Sequence, residues 1–485
     1  MSGFTLRVWL TRNLEPGTRN CMVVTMLDLA GKRVVVVGLA RSGEAACRLL
    51  LKQGATVIGT DRRGKREIGA DLCSLEQDGV SLELGEQYLH SLLSADLVVV
   101  SPGIDLREPL FQRVREVGIP LIGEVELAYR YSEATFIGIT GTNGKSTTTT
   151  LLGAILKHAG MPSHVAGNIG TPLCRVAPSL AAGECVVVEL SSFQLETIEE
   201  FRPRVALLLN LAPDHLDRYD QVEDYYQAKA RIFENQRPSD FAVINADDPL
   251  VLQVSARARG RRIAFSRTRP LDTGAYVEGD QLMLALDGRR EAICRVSELQ
   301  IQGVHNLENA LAAGLAAAVA GAPTTAIRIA LTSFEGLEHR LEFVAEIDGV
   351  RYVNDSKGTN VGAVVRSLES FTNPVVLIAG GRDKHGDFAP LIPLVRERVK
   401  RLILIGEAAE TLRRTLAPAC PTEDASSLEE AVRRAAAAAS PGEVVLLSPA
   451  CASFDMFTDF EERGRVFKAA VRELLPPAYS IPGQA

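Results

Sequence analysis

Residues 135–150 read TFIGITGTNGKSTTTT. An apolar run, Phe136 to Ile139, ends in Gly141-Thr142-Asn143-Gly144-Lys145-Ser146-Thr147. The spacing then predicts a helix from Ser146 to His158, closed by Gly160. Strand, glycine loop, Lys-Ser and helix form the arrangement that cradles phosphate. Glycines let backbone N–H groups converge on an anion, and the helix N-terminus adds positive potential. Lys145 would reach the terminal phosphates and Ser146 would hold Mg²⁺. The common pattern has a further glycine where Ile139 stands, so this loop is a shorter form with the same mechanics.

Two more buried runs place reactive groups at strand exits. Cys185 to Leu190 carries Glu189, and Val205 to Leu211 leads into Ala212-Pro213-Asp214-His215. Glu189 and His215 suit a divalent cation shared with phosphates. In Tyr225 to Phe233, helical spacing puts Tyr225, Lys229, Ile232 and Phe233 on one face. A lysine there either snorkels to solvent or is used chemically. Asn306 and Asn309 lie one turn apart at the start of an alanine-rich helix; their amides either read a base edge or cap the helix. Towards the C-terminus, strand exits carry Lys357, Lys384 and Ser453, and cationic groups gathered at one edge suit a small polyanionic ligand.

The first unit opens with a strand from Lys32 to Gly38, a Gly38-Leu39-Ala40-Arg41-Ser42-Gly43 turn, a helix to about Gln53 and a second strand, Ala55 to Thr60, that ends at Asp61. This approaches a dinucleotide fingerprint, but Ala40 replaces the middle glycine that lets a pyrophosphate approach. A redox cofactor is disfavoured; a Rossmann-like nucleotide domain of another kind is expected. Arg62 and Arg63 either meet a diphosphate or uracil, or lie on a solvated turn. Strand Asp96 to Val100 ends in Ser101-Pro102-Gly103-Ile104 at the same sheet edge.

The elements that must position these groups alternate strand and helix, so the fold class is α/β with doubly wound parallel sheets. The 485-residue length suggests about three domains. Their expected limits are 27–134, 135–336 and 337–476, with a tail at 477–485. Residues 1–26 read as a disordered extension or as a translation start placed too early. The net charge of −7 and the lack of a basic stripe argue against nucleic acid as the main partner. The eight cysteines are scattered without a C-x-x-C pair, as in reduced cytoplasmic proteins. No apolar run has the roughly 20 residues a membrane span needs.

Taken in order, T-G-T-N-G-K-S-T, E-L-S-S-F-Q-L, D-H-L-D-R-Y with Y-Y-Q-A-K, H-N-L-E-N-A, E-H-R-L-E and N-D-S-K-G-T-N resemble the Mur ligases, the ATP-dependent amide-forming enzymes of peptidoglycan synthesis. The resemblance runs from about Leu27 to Leu475. S-P-G-I in the first domain and L-S-P-A-C-A-S-F-D with Phe460 in the last point to the member that adds D-glutamate to UDP-N-acetylmuramoyl-L-alanine through an acyl phosphate. It implies a cytoplasmic monomer serving cell-wall biogenesis, cell shape and division.

The resemblance also implies roles. A Rossmann-like N-terminal domain binds UDP near Leu39, Ala40, Arg41, Arg62, Arg63 and Gly103. Asn168 and Ser191 belong to the same substrate's site, Asn168 at the muramoyl-alanine end. ATP lies between the central and C-terminal domains. Gly141, Thr142, Asn143, Gly144, Lys145, Ser146 and Thr147 hold its phosphates, Arg340 reaches the γ-phosphate, and Asn306, Asn309 and Asp355 belong to the nucleotide site, the last two facing the adenosine. Two Mg²⁺ ions are held by Ser146 and Glu189, and by His215 and Lys229 as a CO₂-derived carbamate. That role would explain a lysine on an apolar face. Thr359, Lys384, Ser453 and Phe460 grip D-glutamate, with Lys357 nearby. Gly358 and Arg62 depart from the family pattern. The rivals are another amide ligase of this fold, an NAD(P)-dependent oxidoreductase that Ala40 disfavours, and a nucleotide switch.

Overall fold

Short runs of β-branched residues, buried on both faces, set the architecture. The computed structural model describes residues 27–68, 71–216, 218–301, 303–383 and 387–475. The extension expected at 1–26, the tail at 477–485 and Lys384 lie outside them. Three sheets follow one another along the chain.

The first contains β1 (Arg33–Val37), β2 (Thr56–Asp61), β3 (Ser81–Leu84), β4 (Leu97–Val100) and β5 (Leu121–Gly123). They are all parallel, in the order β3-β2-β1-β4-β5. The order reverses between β1 and β4, which opens a crevice at their carboxyl ends. Gly38 and Ser101 meet there, the Ser101 hydroxyl donating to the Gly38 carbonyl at 2.7 Å. A Cβ on Gly43 would lie 1.8 Å from that carbonyl oxygen, so only glycine lets the following helix, Arg41–Lys52, pack this close.

The second sheet contains β6 (Thr135–Thr140), β7 (Ser163–Gly167), β8 (Cys185–Glu189), β9 (Val205–Leu208), β10 (Phe241–Asn245), β11 (Arg261–Ser266), β12 (Gly274–Glu278), β13 (Gln281–Leu286) and β14 (Arg289–Arg295). Its order is β14-β13-β12-β11-β10-β9-β6-β8-β7. The phosphate-type loop leaves the central strand β6, flanked by the exits of β8 and β9. The antiparallel extension β12-β13-β14 was not anticipated from the sequence. Its turn is Asp287-Gly288, both at positive φ (49° and 75°), the pairing a two-residue hairpin requires.

The third sheet contains β15 (Glu342–Ile347), β16 (Val350–Asn354), β17 (Val375–Gly380), β18 (Val399–Ile405), β19 (Thr422–Asp424) and β20 (Val444–Leu447), in the order β15-β16-β20-β17-β18-β19. Only β15 runs antiparallel to its neighbour. The exits of β16, β20 and β17 are therefore adjacent. The α/β class and three-sheet organisation agree with expectation. Among the described residues, no helix is long and apolar enough to cross a membrane.

The first two lobes share one apolar core, in which Tyr129, Phe136 and Phe201 meet edge to face at 5.3–5.7 Å. Between them, helix Glu124–Arg130 carries the fully buried Glu126. Its carboxylate accepts the backbone N–H groups of Glu199, Glu200 and Phe201 at 2.8–3.0 Å, and Arg130 Nε at 2.7 Å. Glu126→Ala removes all four acceptor contacts and leaves Arg130 buried. A loss of about 3 kcal/mol is expected, read as a lower urea midpoint with the fold retained at zero denaturant.

Candidate active site

Contacts from both sides shape the loop after β6. Gly144, at φ +83°, caps helix Lys145–His158, and a Cβ there would lie 2.2 Å from Asn309 Oδ1. Asn210, just beyond β9, pins the loop from below. Its side chain accepts from the Asn143 N–H at 2.8 Å and donates to the Asn143 carbonyl at 3.0 Å, while its own carbonyl accepts from the Thr142 N–H at 3.0 Å. Sequence reading missed Asn210. The available signal was a polar residue closing the apolar run V-A-L-L-L. The Lys145 ammonium donates to the Gly141 and Thr142 carbonyls at 2.9 and 2.8 Å.

Four basic side chains gather near Glu189, with Asp214 and Asp355 also acting on them. Glu189 ends β8 and is buried. Its negative charge acts on Lys145, Lys229, Arg340 and Lys357. Burial nevertheless lowers all four below their ordinary values, and mutual repulsion adds to it: Arg340 acts on Lys145 and Lys357, and Lys145 on Lys229 and Lys357. Lys357 is brought to about 8, and its ammonium donates to Ser146 Oγ at 3.0 Å, joining the third lobe to the second. Asn360 makes a second such link, donating to Asp214 Oδ2 at 2.9 Å.

Glu189 also tests the fit of a metal. Oε1 accepts from Asn168 Nδ2 at 2.9 Å, whereas Oε2 is buried without a hydrogen-bond partner among the described residues. An unsatisfied carboxylate oxygen in the same site as the Ser146 hydroxyl suits a hard cation with oxygen ligands.

Lys229 is 2% exposed, so it does not snorkel. Its ammonium lies 4.6 Å from the centre of the Tyr225 ring, and among the described residues no carboxylate pairs with it. Burial, then the Lys145 charge, puts it well below the usual lysine value, favouring the neutral, nucleophilic amine. Tyr225, a further residue whose function was not foreseen, forms the wall of the chamber. Its hydroxyl donates to Thr142 Oγ1 at 3.3 Å and its ring lies 6.0 Å from that of His215. His215, at φ +56°, also meets the Phe193 ring at 5.0 Å.

The other expected site residues fall in three places. Asn306 and Asn309 are buried behind the phosphate-type loop; Asn309 donates to Asn306 at 3.2 Å and accepts from Thr148 at 3.2 Å, which braces the loop from the helix side. Asp355 is held by the Ser367 and Ser448 hydroxyls, both at 2.7 Å, and burial raises it to about 6. In the third lobe, Lys357 lies 4.9 Å from the Phe460 ring centre, Thr359 follows on the same loop, and Ser453 is buried on the loop after β20.

In the first lobe, the Leu39 N–H donates to Asp61 at 2.9 Å, and Arg63 grips the same carboxylate at 2.9–3.0 Å. Arg62 pairs with Glu108 and lies over Tyr88, so neither arginine is unpaired. Ala40 is exposed ahead of Arg41, whose guanidinium donates to the Gly170 carbonyl. The Gly103 carbonyl faces Arg218 at 3.5 Å. The Ser191 side chain caps a short helix with Gln194.

The sequence matches three family descriptions in the same order as the lobes: a Mur ligase MurD-like N-terminal domain over residues 32–123, a Mur ligase middle domain over 139–317, and a Mur ligase glutamate ligase domain over 339–451. It is 46% identical over 452 residues to the UDP-N-acetylmuramoylalanine--D-glutamate ligase of Caldanaerobacter subterraneus subsp. tengcongensis, covering 92% of this chain and 100% of that protein. The chain belongs to the Mur ligase family. A ligase of the same name from Pelotomaculum thermopropionicum is 48% identical, covering 92% of this Mur ligase and 99% of the relative.

Solved Mur ligases share the fold. UDP-N-acetylmuramate-alanine ligase MurC from Thermotoga maritima superposes with a TM-score of 0.56 at 20% identity, covering 91% of this chain and 99% of that one. MurF from the same organism, in complex with ADP, gives 0.58 at 17% identity, covering 93% and 99%.

Gly144→Ala tests whether the loop must keep its shape. The strained φ and the clash with Asn309 should weaken ATP binding by about a hundredfold or more, measured by calorimetry, with far-ultraviolet dichroism unchanged.

Proposed function

We propose that this Mur ligase joins D-glutamate to UDP-N-acetylmuramoyl-L-alanine, converting ATP to ADP and phosphate. The observation that carries the chemistry is the gathering of Lys145, Arg340 and Lys357 near Glu189 beside the phosphate-type loop. Such a chamber binds a polyanion and stabilises charge that moves from one oxygen to another. Near-full-length relatives named for D-glutamate addition supply the choice of amino acid.

The substrate's alanyl carboxylate attacks the γ-phosphorus, and the bond to the β–γ bridging oxygen breaks as ADP leaves. Lys145 and the loop amides hold the phosphates. Arg340 and Lys357 meet the charge on the transferred group. The amine of D-glutamate then attacks the acyl carbon, and phosphate departs as the amide forms. An acyl phosphate hydrolyses in water, so the Lys357–Ser146 and Asn360–Asp214 links close the chamber over it.

Ser146, Glu189, His215 and a carbamate on Lys229 would hold magnesium, which supplies charge neutralisation on the phosphates. Carbamylation needs the neutral amine. Its lone pair forms a C–N bond to CO₂, one proton leaves to solvent, and a carboxylate results. The buried Lys229 amine is suited to this. The UDP end is assigned to the crevice between β1 and β4, near Leu39, Ala40, Arg41 and Gly103.

Phosphate release should require both UDP-N-acetylmuramoyl-L-alanine and D-glutamate and be unmoved by L-glutamate; equal use of L-glutamate overturns the assignment. Lys229→Ala should lower kcat by about a hundredfold or more. Added acetate should restore part of it, and full activity without acetate would exclude the carbamate.

A further inference from the structure

Arg463 is the largest fully buried side chain among the described residues, and it occupies a place where a cation is disfavoured. It stands about one turn into helix Phe460–Glu473, near the positive pole of the dipole. No carboxylate pairs with it among the described residues, and burial lowers it to about 10. What compensates is a full set of acceptors. Nε donates to Ser356 Oγ at 3.0 Å. Nη2 donates to the Ser356 carbonyl at 2.8 Å and the Cys451 carbonyl at 3.3 Å. Nη1 donates to the Cys451 and Ala452 carbonyls at 3.2 and 3.3 Å. A guanidinium has five N–H donors, and this planar fork aims each at a different lone pair.

These acceptors belong to loops that otherwise have little in common. Ser356 lies after β16, on the loop that carries Lys357 and Thr359. Cys451 and Ala452 lie after β20, next to Ser453. The loop after β17 passes underneath: a Cβ on Gly381 would lie 3.1 Å from Arg463 Nη1, and Arg382 exchanges two backbone hydrogen bonds with Ala452 at 2.9 and 3.0 Å. The Ser356 hydroxyl, held by Arg463, donates to the Phe460 carbonyl at 2.8 Å, which ties in the start of the helix.

We propose that Arg463 is the positioning residue of the amino-acid half-site, a buried clamp that sets the β16, β17 and β20 exit loops in one register so that Thr359, Ser453 and Phe460 face the same small dicarboxylate. The proposal rests on the D-glutamate reading above. Arg463 touches no substrate; it acts through the loops it holds.

The test is steady-state kinetics on the full-length enzyme with Arg463→Lys and Arg463→Met, with Ser356→Ala as a milder variant that keeps the guanidinium. In the two Arg463 variants the KM for D-glutamate should rise about tenfold or more, while the KM values for ATP and the nucleotide substrate change less than about twofold. Arg463→Lys should recover little, because one ammonium cannot replace a fork. Ser356→Ala should shift the D-glutamate KM in the same direction by a smaller factor. Acyl-phosphate formation, trapped with hydroxylamine in the absence of D-glutamate, should persist in every variant that folds. An unchanged D-glutamate KM, or equal rises for all three substrates, overturns the clamp. Should both Arg463 variants fail to fold, the Ser356→Ala result decides. Failure of the wild-type enzyme to use D-glutamate would instead overturn the underlying functional reading.

Discussion

The site depends on holding like charges together. Near the buried Glu189, Arg340 weakens the hold of Lys145 and Lys357 on a proton, and Lys145 that of Lys229 and Lys357. Cations held in fixed places stabilise a polyanion better than water does, because the surroundings need not reorganise. The scaffold keeps the cations converged: Asn210 and Asn309 fix the loop from two sides, Gly144 supplies the backbone angle, and the Tyr225 ring closes the wall beside Lys229.

The same logic separates the roles of the lobes. The second provides the anion cradle and the carboxylate. The third provides Arg340 and Lys357 across the gap, together with the loops that Arg463 gathers. The first contributes a parallel sheet whose crevice opens at the β1 and β4 exits. Each places its polar groups at the carboxyl ends of strands, where loops can vary without disturbing the pleated core.

Much of this was legible in the residues. Valine runs ending in glycine or a carboxylate gave the strands and the side on which chemistry would occur. G-T-N-G-K-S marked the loop between β6 and helix Lys145–His158 without any knowledge of its partners. What stayed hidden depended on distant contacts. Helical spacing put Lys229 among apolar neighbours, but only packing distinguished burial from snorkelling. It put Asn306 and Asn309 on one face, yet could not show that this face abuts the phosphate-type loop. Arg62 and Arg63 looked available for a ligand because Glu108 is remote in sequence and because Asp61's role as partner depends on the local fold. The β13–β14 hairpin had a local signal, Asp287-Gly288, that was not used.

The apolar cores are distributed unevenly. The first and second lobes are fused through a common hydrophobic interior, whereas the third has two interiors of its own and meets its neighbour through such polar links as Lys357–Ser146 and Asn360–Asp214. Separating polar links exposes groups that water can solvate at once, whereas splitting a shared interior would bare oil-like surface. Two lobes are thus fused through one apolar interior, and the third, joined to them by polar links, bears the groups assigned to the incoming amine. Parting the third lobe from the second therefore costs less than parting the second from the first.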